Sequence, residues 1–310
     1  MAPVQGFWGQ PTSTLDWCES NYDVNSYIAE FWNTLSNLSM IVPPLYGIYE
    51  SCRNQFEVRF TVCFALLIVV GCGSWAFHMT LLYEMQLTDE LPMIFCSCFL
   101  LYCLADIQHM QTQSHLNWLS VSLVIYSLIF TLSYLLYPNP LLHQAIYGLT
   151  TIIITALDVR LVRTQTDRQL WRLFYGGMVC YSTAFLLWNV DNHMCLPISR
   201  LRASLPPLLS SPAIAVRYSD LPGGDQCCPV LFHSRLRASL PPLLRPLTQL
   251  HAWWHLLAGY ASYMHILFCM KIWYNLRQQK AHLTLGKLGL TIRRPEVATN
   301  GCKNGHHKTR

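Results

Sequence analysis

Charged side chains are scarce in this sequence. Asp, Glu, Lys and Arg together make up 12% of its 310 residues, where about a quarter is usual for a soluble domain. Hydrophobic residues reach 52%. This balance excludes an ordinary soluble enzyme and indicates a protein that crosses a membrane several times. The first 27 residues also lack the basic start and apolar core of a cleavable signal peptide, so none is expected.

Three segments contain no charged residue at all: 60–83, 107–157 and 246–270. A helix needs about 20 residues to cross a hydrocarbon core of about 30 Å, so the middle segment suits two helices, separated by Pro138 and Pro140. Together with three further apolar segments, these predict an all-α bundle of seven transmembrane helices. The predicted spans are 31–49, 60–83, 85–105, 117–137, 141–163, 173–190 and 247–272.

Basic residues are distributed unevenly between the two sides of this predicted bundle. If the N-terminus lies outside, fifteen of the 21 Lys and Arg residues lie inside and six lie outside. The positive-inside rule then favours a lumenal N-terminus and a cytosolic C-terminus in an internal membrane. The net charge of +5 therefore reflects topology, and no nucleic-acid partner is expected.

The segment before the last predicted helix contains an exact duplication, since residues 199–209 recur unchanged as residues 234–244. A solenoid would show degenerate similarity several times over, so we interpret residues 199–244 as an inserted loop. We expect a membrane domain over residues 1–281. The polar residues 282–310 are predicted to form a disordered cytosolic tail.

Two histidines, His251 and His255, stand at positions i and i+4, so their imidazoles share one helix face. An interfacial aromatic belt would explain this pair alone. In the predicted topology, however, Ser74 and His78 end the second span and Asp89 begins the third at the same membrane level. Ionisable groups inside a membrane are costly, so their convergence predicts a functional intramembrane site.

Three imidazoles with an open fourth position are typical of a catalytic zinc ion, which lowers the pKa of bound water to about 7. Asp89 would move a proton from water to a leaving amine, and Ser74 would donate to an oxyanion. Close helix packing for Ser74 and a helix cap for Asp89 are the simpler alternatives. We interpret the histidines without a partner at ligand spacing as interfacial or loop residues: His143, His193, His233 and His265.

The N-terminal segment places acidic side chains close together at Asp16, Glu19 and Glu30, with no Lys or Arg before Arg53. Calcium takes six to eight oxygen ligands, so a calcium site is feasible. A solvated acidic segment is the simpler interpretation of these residues alone.

Two cysteines, Cys18 and Cys195, both fall on the outer side of the predicted topology. In an oxidising lumen they can form a disulfide that holds the acidic segment over the bundle. Cys227 and Cys228 in the inserted loop are competing partners.

Five segments carry a family resemblance: STLDWCE at 13–19, IAEFWNT at 28–34, GSWAFHMT at 73–80, LTDELPM at 87–93 and HAWWH at 251–255. They closely resemble the alkaline ceramidases, in particular the alkaline phytoceramidase subgroup. The resemblance extends from the start to about residue 198 and resumes at about residue 245. The inserted loop and the residues after Ala281 depart from it.

The resemblance implies an intramembrane zinc amidohydrolase of the endoplasmic reticulum and Golgi. Such an enzyme cleaves ceramides, including phytoceramide or unsaturated long-chain ceramide, to a sphingoid base and a fatty acid. It implies that the zinc ligands are His78, His251 and His255, that Asp89 is the acid/base and that Ser74 assists the oxyanion. It also implies calcium ligands, namely Asp16, the carbonyl of Trp17, Glu19, Asn21 and Glu30.

Two other functions stay open at this point. A seven-helix receptor would be expected to carry Asp-Arg-Tyr after its third span and Asn-Pro-x-x-Tyr in its seventh, and neither is present. An inactive isoform of the same family would arise if the inserted loop displaced His251 and His255. The predicted partner is a ceramide lipid in the membrane, and no obligate protein partner is inferred.

Overall fold

The computed structural model describes the backbone of residues 6–112, 117–204, 247–279, 281–287 and 289–293. The side chains of residues 111–112, 117 and 194–204, and all remaining residues, lie outside this description. Most of the inserted loop, including the second copy of its repeat, therefore lies outside the described residues.

Helices dominate the described part of the chain. The chain begins with short elements, α1 (Phe31–Ser36), a 3₁₀ turn (Asn37–Met40) and α2 (Val42–Arg53). Six longer helices follow: α3 (Val58–Thr80), α4 (Tyr83–Thr112), α5 (Asn117–Leu136), α6 (Pro140–Arg163), α7 (Arg168–Ser204) and α8 (Leu250–Leu276). Two strands, β1 (His282–Gly286) and β2 (Gly289–Arg293), pair antiparallel.

Five of these helices, α3 to α7, are long and apolar enough to cross a membrane. They coincide with the second to sixth predicted spans. The chain is therefore a multi-pass membrane protein.

Helix α8 lies where the seventh span was predicted, and its 27 residues are long enough to cross a bilayer core. It is not among the described helices that are apolar enough to cross a membrane, because His, Trp, Tyr and Lys residues interrupt its apolar ones. Helix α8 tolerates these side chains because it is buried by protein: every residue from Ile266 to Tyr274 is buried. It packs against α7, the 3₁₀ turn, α1 and α3, so it forms the centre of the bundle.

The prediction of one continuous helix over residues 31–49 is wrong. The 3₁₀ turn separates α1 from α2, and Pro43 and Pro44 at the start of α2 have no N–H groups to continue a helical ladder. The turn packs closely against α8. A Cβ added to Gly259 would lie only 2.5 Å from Ser39 Oγ. As described below, this break brings polar groups of α1 to a histidine of α8.

Part of the predicted disordered tail is also ordered, because His282–Arg293 forms the β1–β2 hairpin. The buried Lys271 holds this end of α8, since its Nζ donates to the carbonyl of Ala281 and lies 2.8 Å from Asp167 Oδ2. Burial alone would raise the pKa of Asp167, but hydrogen bonds from Lys271 and Asn275 lower it below its usual value. The hairpin and the α6–α7 loop thus lie together at the C-terminal end of α8.

Helices α3 and α4 approach each other most closely at Gly73. A Cβ at this position would lie 1.8 Å from the carbonyl oxygen of Thr88, so only glycine fits. This close approach places Ser74 beside Asp89, the next residue on each helix.

We expect Gly73→Ala to lower the free energy of unfolding by about 1–3 kcal/mol, because the added methyl group forces α3 and α4 apart. The matched control is Gly148→Ala in α6, where a Cβ meets no atom within 4 Å. That substitution should leave the thermal midpoint in detergent unchanged or slightly raised. Equal midpoints for Gly73→Ala and the parent would contradict the proposed role of Gly73.

Candidate metal centre

Three buried histidines converge at one end of the bundle, where α3 ends and α8 begins. His78 lies in the last turn of α3, and His251 and His255 lie in the first two turns of α8. One ligand atom from each lies within 4.8 Å of the other two, and each residue is at most 3% exposed. Among the described residues, this is the one group of His, Cys, Asp and Glu side chains with such convergence.

His78 is oriented by Glu30. Its Nδ1 lies 2.5 Å from Glu30 Oε2, and both side chains are almost completely buried. The N-terminal segment is fixed there by its backbone, since the N–H groups of Ala29 and Glu30 donate to the carbonyls of Met79 and His78. With Nδ1 bound to a carboxylate, Nε2 of His78 is the nitrogen available to a metal.

His255 is oriented by α1. Its Nδ1 lies 3.1 Å from the carbonyl oxygen of Asn33 and 2.9 Å from Ser36 Oγ. A carbonyl can only accept, so Nδ1 carries the proton and Nε2 is free for a metal. Ser39 Oγ also donates to the carbonyl of His255 at 2.7 Å. The break in the first predicted span thus supplies the groups that hold this ligand.

His251 packs flat against Trp17, with ring centroids 3.7 Å apart and planes 22° from parallel. Its Nδ1 is buried and has no hydrogen-bond partner among the described residues. Leaving a buried ring nitrogen unpaired costs free energy, which a metal ligand bond would offset. Three imidazoles, two of them oriented by hydrogen bonds at the far nitrogen, fit a zinc ion with an open fourth position.

Ser74 and Asp89 lie beside the three histidines, as the predicted topology required. The Ser74 hydroxyl lies close to the Asp89 carboxylate. Both residues, together with His251 and His255, line a cavity of about 800 Å³ that extends through the bundle. Most of its other walls are apolar, for example Leu67, Val70 and Phe77. A carboxylate and a hydroxyl therefore face the same apolar cavity as the histidines.

The five predicted calcium ligands lie in different environments. Both carboxylate oxygens of Glu19 accept backbone N–H groups at the start of α1, from Trp32 and Asn33, each at 2.8 Å. Glu30 Oε1 and Asn21 Oδ1 are buried without a hydrogen-bond partner among the described residues. Unpaired buried oxygens of this kind fit a hard cation.

Burial raises the pKa of both Asp16 and Glu30, and the charge of Asp16 raises that of Glu30 further. The Glu30 carboxylate is buried, whereas the Asp16 side chain is exposed. Glu30 Oε2 contacts His78, while its Oε1 is buried without a hydrogen-bond partner among the described residues.

Cys18 lies against the end of α7, because its N–H donates to Asp191 Oδ2 at 3.3 Å. The side chain of Cys195, its predicted partner, lies outside the described residues. Asp191 precedes Cys195 by about one helical turn of the same helix.

Two histidines that we interpreted as interfacial have acidic partners instead. His143 Nε2 lies 3.1 Å from the carbonyl oxygen of Glu90, whose carboxylate also accepts from Tyr134 and Gln86. His265 Nε2 lies 2.8 Å from Asp158 Oδ2. These partners come from other helices, so no spacing in the sequence indicated them. His193 is exposed, and His233 lies outside the described residues.

Comparisons with known proteins point in one direction. The sequence model of the Ceramidase family matches residues 9–210. Alkaline ceramidase 3 of Mus musculus is 39% identical over 274 residues, or 87% of this chain and 88% of the relative. Alkaline ceramidase YPC1 of Saccharomyces cerevisiae is 32% identical over 279 residues, or 85% of this chain and 78% of the relative. The family match includes His78 and Asp89 and ends before α8.

Replacing His255 by alanine should reduce the bound metal per purified chain to less than about half of the parent value, because a three-ligand site loses its geometry with any ligand. Elemental analysis of protein in detergent measures this content. The control is His193→Ala, an exposed histidine whose Nδ1 lies against the carbonyl of Asn189. Equal metal content in both variants would refute the assignment of His255.

Proposed function

The chain belongs to the alkaline ceramidase family, and from this membership we propose that it hydrolyses the amide bond of ceramide at a zinc ion held by His78, His251 and His255. As a family member it is a ceramidase-type hydrolase. The observation that carries the zinc proposal is the buried convergence of three imidazoles beside Ser74 and Asp89.

Zinc, when bound, lowers the pKa of water to about 7 and polarises a carbonyl oxygen. Asp89 takes the proton that water loses as its oxygen bonds to the amide carbon. Ser74 donates a hydrogen bond to the oxygen of that carbon as negative charge develops there. Asp89 then gives its proton to the nitrogen as the C–N bond breaks, which releases a sphingoid base and a fatty acid.

The proximity of Ser74 to Asp89 supports these roles. Asp89 is acceptor-only when ionised, so the Ser74 hydroxyl can donate to it before substrate arrives. The apolar cavity of about 800 Å³ is large enough for part of a long lipid chain, and it lies between helices that face lipid. A substrate can thus keep its chains in an apolar environment while its amide reaches the histidines.

The two rival functions make different predictions about the same residues. A receptor has no need of three imidazoles buried together with a Ser–Asp pair. An inactive isoform would require displaced histidines, whereas His251 and His255 lie beside His78 in the described structure. Measured turnover of a ceramide decides between an active and an inactive form.

Asp89→Asn should lower kcat for a long-chain ceramide about 10²- to 10⁴-fold, because proton transfer is lost. Ser74→Ala should lower it about 10²- to 10³-fold through the loss of one oxyanion donor. The control is Ser97→Ala, which lines the same cavity but donates its hydroxyl to the Met93 carbonyl of its own helix. Chelation should abolish the parent's turnover, and added zinc should restore it. Turnover unaffected by Asp89→Asn would overturn the mechanism.

We further propose that calcium binds Asp16, the Trp17 carbonyl, Glu19, Asn21 and Glu30. Glu30→Gln keeps an oxygen that can accept from His78 but removes the negative charge. Calcium should then be needed at concentrations at least about tenfold higher for half-maximal thermal stabilisation, while zinc content is unchanged. The control is Glu84→Gln, an exposed acid at the start of α4. An unchanged calcium requirement in Glu30→Gln would remove Glu30 from the site.

We also propose that Cys18 and Cys195 form a disulfide on the lumenal side of the endoplasmic reticulum or Golgi membrane, with the C-terminus cytosolic. The contact of Cys18 with Asp191, one turn before Cys195, supports this pairing. Peptide mapping without reduction should recover a peptide pair that contains both cysteines. The exposed Cys52 and Cys72 should react with a thiol reagent as free residues. A free thiol at Cys18 would refute both the pairing and the lumenal placement.

A further inference from the structure

The cavity has a second polar group of residues, well separated from the three histidines. Asp158 on α6 and His265 on α8 both line it. His265 and His255 are ten residues apart on one helix, which separates their Cα atoms by about 15 Å. The cavity therefore has a polar end at the metal centre and another polar position farther along α8, with apolar walls between them.

The Asp158 carboxylate is buried with unused hydrogen-bonding capacity. The residue is 5% exposed, and its Oδ1 has no hydrogen-bond partner among the described residues. Its Oδ2 lies 2.8 Å from His265 Nε2, although this contact lacks the angle of a hydrogen bond. A buried carboxylate oxygen without a donor is costly, so it favours a ligand that brings one.

Neighbouring polar residues do not supply that donor. Thr155 lines the same part of the cavity, but its hydroxyl donates to the Thr151 carbonyl of its own helix. His265 Nε2 is likewise buried without a hydrogen-bond partner among the described residues. The missing donor has to come from a molecule in the cavity.

We propose that Asp158 and His265 form a subsite for an aliphatic hydroxyl group on the lipid chain. The hydroxyl donates to Asp158 Oδ1 and accepts from the ring N–H of His265. The 15 Å separation corresponds to roughly a dozen carbon–carbon bonds of an extended chain, so a hydroxyl in the middle of a long chain reaches the pair. This inference rests on the proposed function, which makes the ligand a long-chain lipid. The Asp158–His265 pair then selects those lipids whose chain carries a hydroxyl group.

Specificity at this position follows from the cost of removing water. An unsubstituted chain that passes the pair displaces water from Asp158 and makes no hydrogen bond to replace it. A chain with a hydroxyl replaces that water by a hydrogen bond to a charged group. The pair therefore discriminates against plain chains and in favour of hydroxylated chains.

The test measures binding, so its outcome does not depend on hydrolysis. Purified full-length protein in detergent is titrated with octadecanoate and with 12-hydroxyoctadecanoate, by displacement of a fluorescent fatty acid. The hydroxylated acid should bind on the order of tenfold more tightly. This preference should disappear in the Asp158→Leu/His265→Leu double variant, where the pair is replaced by apolar side chains of similar size.

Two controls separate the subsite from general effects. Thr155→Val changes a lining residue whose hydroxyl is already satisfied, so it should keep the preference. The isomer 2-hydroxyoctadecanoate carries its hydroxyl next to the carboxylate, so the Leu double variant should change its affinity to the same extent as that of octadecanoate. If the double variant fails to fold, Asp158→Asn is used instead, because it keeps the size and polarity of the side chain. It should weaken the preference for 12-hydroxyoctadecanoate.

Equal binding of octadecanoate and 12-hydroxyoctadecanoate by the parent protein would overturn the inference, and so would a preference that survives Asp158→Asn. Asp158 and His265 would then be a structural ion pair between α6 and α8. Loss of ceramide hydrolysis with the binding preference intact would instead count against the proposed function alone.

Discussion

The contact between Glu30 and His78 is the interaction on which the metal centre depends most. It joins a segment that precedes the first helix to the last turn of α3, 48 residues later in the chain. The same carboxylate is anchored by a hydrogen bond from Asn33 Nδ2, and Asn33 in turn offers its carbonyl to His255. Two of the three histidines are therefore oriented by one short stretch at the start of α1. A carboxylate behind an imidazole also strengthens that imidazole as a metal ligand.

Helix α8 explains how so polar a centre is tolerated in an apolar protein. The helices that face lipid, such as α5, expose side chains like Leu128 and Leu132 over most of their surface. Helix α8 is enclosed by its neighbours, so its histidines and Lys271 meet partners from other elements. Many of the polar residues inside the bundle are paired, and others line the cavity.

The sequence predicted the proximity of these polar groups better than the contacts that orient them. The i, i+4 spacing of His251 and His255, and the ends of the spans that carry Ser74 and Asp89, were sufficient to place these groups together. The orientation of His255 by α1 could not be predicted, because it requires a helix break inside an apolar stretch. A hydropathy profile averages over many residues. The few polar residues at such a break therefore do not stand out in it.

Two other differences have distinct physical reasons. The alternation of apolar residues in His282–Gly286 and Gly289–Arg293, with glycines at the turn, was a readable hairpin signal that the surrounding polar composition obscured. The pairing of Asp158 with His265 joins helices that are distant in sequence. Only packing brings such residues together, so no spacing rule could indicate it.

The order of the ligands along the chain has a consequence for biosynthesis. His78 emerges from the ribosome early, whereas His251 and His255 follow about 170 residues later, a delay of roughly ten seconds or more at usual rates of translation. Until α8 is made, the bundle of α3 to α7 lacks its central helix and the cavity lacks one wall. The three histidines therefore come together only after α8 is made, and a chain that terminates before α8 carries only one of them.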